Sequence, residues 1–420
     1  MRIALISSEF AGLPGSGGIG SYFDHLARGL VRAECDVEVF TSGSEGDLSE
    51  RPGVVFHHLG NSAPPDFAVF AGFAFRERHQ QKPFDVLECG ELKAEGAWAA
   101  RWVKDVAFVV RLHSPSVILN RYLDFPLTPW AYFKKIFFQA SVVLGARRRG
   151  LPLPPIYLEP FAFSWNQGAD LEERAMSGAA DLVVVMSEEM RIFAAGFWGI
   201  KPEAIRQIPN PYLVPSKLIT VESEKKKAIG FLGRLESRKG AIELAGALVK
   251  VLPDFPDWKV VFAGGEVSSC LSGKNSKLIA EKILAPVQSQ IKFLPNIPPE
   301  NVAEWFADID IFAFPSLWDN FPYVILEAMA AGKAIVATAT GAVPEMLGDA
   351  GLIVPIGDVR AFRNALRKLM ADAELRAKLG TAAQRRFEER FHPDRVMGEI
   401  LEVYREAIER ARERVNRQNH

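Results

Sequence analysis

Two short segments hold the residues whose types and spacing suit binding of anionic and hydroxyl groups. The first is Gly233-Arg234-Leu235-Glu236-Ser237-Arg238-Lys239-Gly240, directly after the apolar run 228–232. That placement puts Arg234 and Lys239 at the carboxyl end of a strand, where open parallel sheets bind ligands. A guanidinium forks onto phosphate oxygens and an ammonium adds a mobile point charge, so phosphate binding is favoured over a merely solvated turn. The second segment runs from Phe314 to Gly332 and contains Asp319-Asn320-Phe321-Pro322-Tyr323 and, further on, Glu327. Pro322 suits the first turn of a helix and Gly332 its C-terminal cap. The helix between them is apolar nearly all round, and Glu327 is its one carboxylate. A lone ionised carboxylate there needs partners, either sugar hydroxyls or a nearby Lys or Arg. Asp319, in the loop entering the helix, is placed either to cap it or to bind ligand.

Two other patterns carry less. Gly15-Ser16-Gly17-Gly18-Ile19-Gly20 satisfies G-x-G-x-x-G, but seven residues (8–14) separate it from the first predicted strand. The dinucleotide fingerprint needs its first glycine at the strand end. The segment therefore reads as a glycine loop opening a helix, with backbone amides that suit an anion, or as a plain connection. Asp308-Ile309-Asp310 matches a metal-binding Asp-x-Asp, yet its carboxylates stand at a helix end and a strand start. No His or Cys cluster has ligand spacing, so no metal and no cofactor is expected.

The elements that must position these residues follow from the apolar pattern. The chain has 420 residues, 48% hydrophobic and 24% charged, the balance of a globular protein too long for one core. Fifty basic against 51 acidic residues argues against nucleic-acid binding. Three dispersed cysteines, Cys35, Cys89 and Cys270, exclude a disulfide scaffold and suit a reducing, cytoplasmic setting. No run of about 18 apolar residues suggests a membrane span. Nearly continuous apolar runs predict parallel strands at 2–7, 36–40, 54–57, 85–88, 107–112 and 182–186. A second series falls at 228–232, 259–263, 291–294, 311–314, 334–337 and 351–354. Helices are expected between them, among them 19–32, 91–103, 170–178 and 188–195. The fold class is therefore α/β, with two Rossmann-like doubly wound domains facing a cleft. Their expected bounds are 1–215 and 216–395, joined by a charged linker at 215–227. A terminal helix, 396–420, packs on the second domain or crosses back to the first.

The two segments resemble the signature segments of family 4 glycosyltransferases, also called glycosyl transferases group 1, which have the GT-B fold and retain anomeric configuration. The second is similar to that family's acidic pair Glu-x7-Glu, with Asp319 in place of the first Glu. Gly17-Gly18, His113, Gly264-Gly265 and Thr340-Gly341-Ala342-Val343-Pro344-Glu345 add to the likeness. The resemblance implies a metal-independent hexosyltransferase whose co-substrate is a nucleoside-diphosphate sugar. By that likeness Arg234 and Lys239 hold the donor diphosphate and Glu327 the ribose hydroxyls. Asp319 and Asn320 lie at the donor sugar, with Phe321, Pro322 and Tyr323 offering backbone to sugar or phosphate. Leu294 meets the base, His113 approaches the transferred sugar, and Gly17 and Gly18 approach phosphate or acceptor. The implied catalytic set is His113, Asp319, Arg234 and Lys239. The sequence departs from the family at Asp319, one methylene shorter than Glu, and at Asn210-Pro211-Tyr212, where members often carry Asn-Gly-Val-Asp.

By the same resemblance the acceptor is expected to be a sugar, glycolipid or small-molecule hydroxyl. Trp130 to Phe138, followed by Arg147-Arg148-Arg149, mixes aromatic and basic residues. Such a stretch suits peripheral contact with an anionic membrane, as in cell-surface glycan assembly, or a buried aromatic helix. Competing functions are a nucleotide-sugar binding protein impaired by Asp319, and a sugar phosphorylase or epimerase on the same fold.

Overall fold

A computed structural model describes residues 1–13, 16–43, 51–60, 66–119, 167–215, 226–266 and 275–418, with isolated positions 137, 144, 148 and 218. The stretch 130–149, apart from those positions, and most of the 215–227 linker lie outside the described residues.

The first sheet has seven parallel strands in the order β3-β2-β1-β4-β5-β6-β7. They are β1 (Arg2–Ile6), β2 (Asp36–Thr41), β3 (Val54–His58), β4 (Val86–Gly90), β5 (Ala107–Arg111), β6 (Leu182–Val185) and β7 (Ile205–Gln207). The second has six parallel strands in the order β10-β9-β8-β11-β12-β13. These are β8 (Ala228–Leu232), β9 (Lys259–Ala263), β10 (Ile291–Leu294), β11 (Ile311–Phe314), β12 (Ala334–Thr338) and β13 (Leu352–Val354). Each apolar run becomes a strand because helices cover both faces of each sheet. β7, too short and polar to stand out, was not anticipated.

In the first sheet one face packs on α1 (Gly18–Arg32) and the other on α2 (Asp66–Gln81) and α3 (Ala97–Trp102). The expected helix at 91–103 is broken. Lys93 and Ala94 take left-handed φ values of 60° and 49°, and α3 begins only at Ala97. The Lys93 amide donates to Glu173 Oε1 at 3.0 Å, a partner 80 residues along the chain that holds the break.

The chain ends in a 26-residue helix, Pro393–Gln418. Val396, Ile400, Val403, Tyr404 and Ala407 of this helix share a core with Ile3, Leu5, Val37 and Val109 of the first sheet, and the helix lies against β4, β5 and α1. Polar contacts fasten it: Arg414 Nε donates to Asp181 Oδ1 at 2.9 Å, and Tyr404 donates to Glu88 Oε2 at 2.6 Å. Glu88 is fully buried and also accepts from Tyr22 and, at 3.4 Å, from Arg111 Nε.

Candidate active site

Turns at the carboxyl ends of β8, β9 and β10 meet. The Gly233 amide donates to Ala263 O at 2.9 Å, and Gly264 to Leu294 O at 3.2 Å. This brings the Arg234 turn, the Gly264-Gly265 turn and Leu294 into one place. Gly240, with φ at 74°, then opens α4 (Ala241–Val251); a side chain there would stand 2.0 Å from Pro315 O. That close approach docks the basic turn onto the segment after β11.

Lys239 reaches across to Asp319, its Nζ donating to Oδ2. Arg238 NH1 lies 4.0 Å from the same oxygen, donates to Trp318 O at 3.1 Å, and its NH2 binds Glu236 Oε1 at 2.7 Å. Burial pushes the Lys239 ammonium below the lysine range, against the opposing pull of Asp319. Burial works to raise the Asp319 carboxyl, but Lys239 and Arg238 outweigh it and hold it below the usual range. Arg234 extends outward with 55% of its side chain exposed and lies 3.3 Å from Glu236. The site is thus a cationic trio of which Arg234 is the most accessible member. Arg238 was missed at the sequence level, although it lies inside the quoted turn.

Asp319 does not cap the helix that follows, α5 (Tyr323–Ala330), whose N-cap is Pro322 with no side-chain bond. Its amide instead donates to Thr340 Oγ1 at 3.1 Å, and Ala342 donates to Asn320 O at 2.8 Å. Gly341, at φ 49°, lets these strands of backbone touch: a Cβ there would lie 2.0 Å from Asp319 O. Gly341→Ala is therefore expected to cost about 1–3 kcal/mol and to lower the thermal midpoint, since strain and clash add. An unchanged midpoint would refute that account.

The Glu327 carboxylate, on α5, makes no hydrogen bond or ion pair among the described residues, although its backbone carbonyl accepts from the Ala331 amide at 2.9 Å. Burial pushes its carboxyl up to about 7, so the alternative of a salt-bridged Glu327 is not what the structure contains. Phe321 is buried, and Tyr323 donates to Pro211 O at 3.3 Å.

From the first sheet, His113 follows β5 with its ring against Tyr22, centroids 4.5 Å apart, and its Nε2 is buried without a partner. Burial, then the Arg111 charge, hold its pKa well below the imidazole range, so the ring is neutral. Its amide donates to Glu91 Oε2 at 2.7 Å. Across the cleft, Asn320 Nδ2 donates to His113 O at 2.6 Å and to Leu112 O at 3.1 Å. Glu345 also bridges the sheets, accepting from the Glu188 amide at 2.7 Å and from Gln207 Nε2 at 2.5 Å. Gly17 and Gly18 start α1, and the Gly17 amide donates to Glu9 Oε2 at 3.1 Å. Among the described residues no hydrogen bond ties either glycine to the second sheet.

Residues 17–211 match the family model of a glycosyl transferase 4-like domain, and residues 217–386 match that of glycosyl transferases group 1. The chain belongs to the group 1 glycosyltransferases. A similar protein is the D-inositol 3-phosphate glycosyltransferase of Corynebacterium aurimucosum, 28% identical over 411 residues, covering 91% of each chain. That of Corynebacterium jeikeium is 28% identical over 423 residues, again covering 91% of each. Among solved structures, sucrose-phosphate synthase from Thermosynechococcus elongatus aligns with a TM-score of 0.69 at 20% identity, over 96% of this chain and 98% of that one. Anabaena HepE, solved with UDP and with UDP-glucose, aligns at 0.68 and 18% identity, over 96% and 99%. This group 1 glycosyltransferase thus has the GT-B fold. Among its described residues no helix is long and apolar enough to cross a membrane.

Proposed function

We propose that this glycosyltransferase is metal-independent and retaining, and moves a sugar from a nucleoside-diphosphate sugar to a hydroxyl acceptor in the cytoplasm. The observation that carries the reading is the trio Arg234, Arg238 and Lys239 gathered around Glu236 and Asp319 in the segments after β8 and β11. As the anomeric C–O bond breaks, negative charge grows on the departing diphosphate, and preorganised cations stabilise it where it forms. The departing phosphate oxygen takes the acceptor's proton, and the new bond forms on the face the nucleotide leaves. UDP and UDP-glucose in Anabaena HepE support a nucleoside-diphosphate donor on this fold. Relatives named for D-inositol 3-phosphate support a polyol hydroxyl as acceptor; a glycolipid acceptor in cell-surface glycan assembly, with peripheral membrane contact, is the other form of the proposal. In this reading the first domain serves the acceptor and the second the donor.

The test is nucleoside diphosphate release from UDP-, GDP- and ADP-sugars without added metal, read beside thermal stabilisation by each nucleotide. Release with a glycoside product supports transfer, sugar phosphate indicates phosphorolysis, and no stabilisation by any nucleotide overturns the reading. The pairing of Asp319 with Lys239 favours one second reading, an impaired binder, which predicts stabilisation without release for every acceptor.

Glu327 adds a pH prediction. Its carboxyl sits at about 7 in the free protein, and ribose hydroxyls donate best to the ionised form, so the bound state has the lower pKa. Nucleotide affinity is then lost progressively as pH falls below about 7, and binding near neutrality releases protons. Calorimetry in two buffers of different ionisation enthalpy reads that release. Glu327→Gln should abolish it and flatten the pH profile; an unchanged profile would remove Glu327 from the ribose.

A further inference from the structure

Asn320 lies in the donor segment, between Asp319 and Phe321, yet its side-chain amide is spent on the other half of the protein. Nδ2 donates to His113 O at 2.6 Å and to Leu112 O at 3.1 Å, and the residue is 4% exposed. The orientation is chemically forced, because two carbonyl oxygens face the group and only the NH2 end can satisfy them. The carbonyls are themselves held. The Leu112 amide donates to Val184 O at 2.9 Å, and His113 and Ser114 donate through their amides to Glu91. On its own side Asn320 is fixed by the Ala342 amide on its carbonyl and by the close passage of Gly341, whose Cβ would lie 2.6 Å from Asn320 O. One side chain therefore ties two locked turns, one carrying Asp319 and one carrying His113. Two polar atoms at this joint, Asn320 Oδ1 and His113 Nε2, are buried without partners, which fits a site completed by a hydroxylated ligand.

We propose that Asn320 is a positioning residue that latches the donor loop to the His113 turn, so that the two halves of the sugar site are set by a single amide. The inference rests on the donor-site reading above. It assigns Asn320 to alignment of the transferred sugar and exclusion of water, not to holding the nucleotide. Misplacement of reacting groups by about 1 Å costs about 10²-fold in rate, and a loosened joint admits water to an activated donor.

The test uses the full chain with Asn320→Ala and Asn320→Asp, measuring transfer, donor hydrolysis without acceptor, and nucleotide affinity by calorimetry. Both variants are expected to lose about 10- to 100-fold in kcat for transfer while nucleoside diphosphate Kd stays within about threefold of wild type. The fraction of donor lost to water should rise. Asn320→Asp should be at least as poor as Asn320→Ala, because a carboxylate facing two carbonyls repels where the amide donated. A kcat within twofold of wild type in Asn320→Ala, or an Asn320→Asp variant that keeps activity, would overturn the latch. So would a nucleotide affinity that falls in step with kcat, which would mean general damage to the second domain. Should both variants fail to fold, Asn320→Ser keeps a shorter donor at the same position, and the same rate-against-affinity split decides. If wild type itself binds no nucleotide, the donor reading fails first, and that outcome is visible before any variant is made.

Discussion

Lys239→Ala is expected to lower kcat for nucleoside diphosphate release by about 10²–10³-fold, the scale of losing one preorganised donor from a developing oxyanion. Lys239 is largely buried, with 18% of its side chain exposed, and its ammonium rests on Asp319. In the proposed donor site, arriving phosphate oxygens would therefore find a charge already desolvated and aimed, with little reorganisation needed. Arg238 cannot replace it: its NH1 is 4.0 Å from Asp319 Oδ2, and its other bonds go to Trp318 O and Glu236. The variant also deprives Asp319 of its nearest counter-charge, and the less compensated carboxylate repels diphosphate, so stabilisation by nucleotide should fall too. Steady-state release and a thermal shift with the preferred nucleotide read both effects. A kcat within threefold of wild type would remove Lys239 from the chemistry.

The largest stability effect is expected in the buried network behind His113. Glu88→Ala should cost about 3–5 kcal/mol, because it strands the Arg111 guanidinium, 1% exposed, without its carboxylate. It also unpairs the hydroxyls of Tyr22 and Tyr404, both buried. The remaining bonds of Arg111, to Ile208 O at 3.2 Å, Pro209 O at 3.5 Å and Asn210 Oδ1 at 3.4 Å, solvate the charge but do not neutralise it. Urea unfolding followed by far-UV circular dichroism measures the loss. Glu88→Gln keeps the volume and one acceptor and should cost less than Glu88→Ala; equal midpoints for wild type and Glu88→Ala would show the network to be inert.

The parallel sheets were legible because strands covered on both faces read as unbroken apolar runs, and twelve such runs became strands with ends shifted by a residue or so. β7, Ile-Arg-Gln, has only one apolar residue and is recognisable only from its pairing with β6. α2 escaped notice because Phe67 and Phe75 face the core while Phe70 and Phe73 face out, which blurs the helical stripe. The broken helix at 91–103 depends on Glu173, a contact no local rule contains. The site shows the same division. Residue types suited to phosphate and hydroxyls stand out in sequence, as Arg234, Lys239 and Glu327 did. Which charge leans on which does not: Lys239 and Asp319 are 80 residues apart, and Asn320 finds His113 across 207.

The terminal helix has a consequence for synthesis. The first domain begins to emerge from the ribosome first, yet the apolar face at β4 and β5 is covered in part by residues 396–411. Until residues 396–411 have been made, Val86, Ala107 and Val109 lack Tyr404 and its neighbours, and the half-finished domain must wait with a sticky flank. Ribosomal stalling or proteolysis that removes residues 393–420 would therefore injure the oldest part of the molecule, leaving the second domain, whose core residues are complete by Phe391, intact.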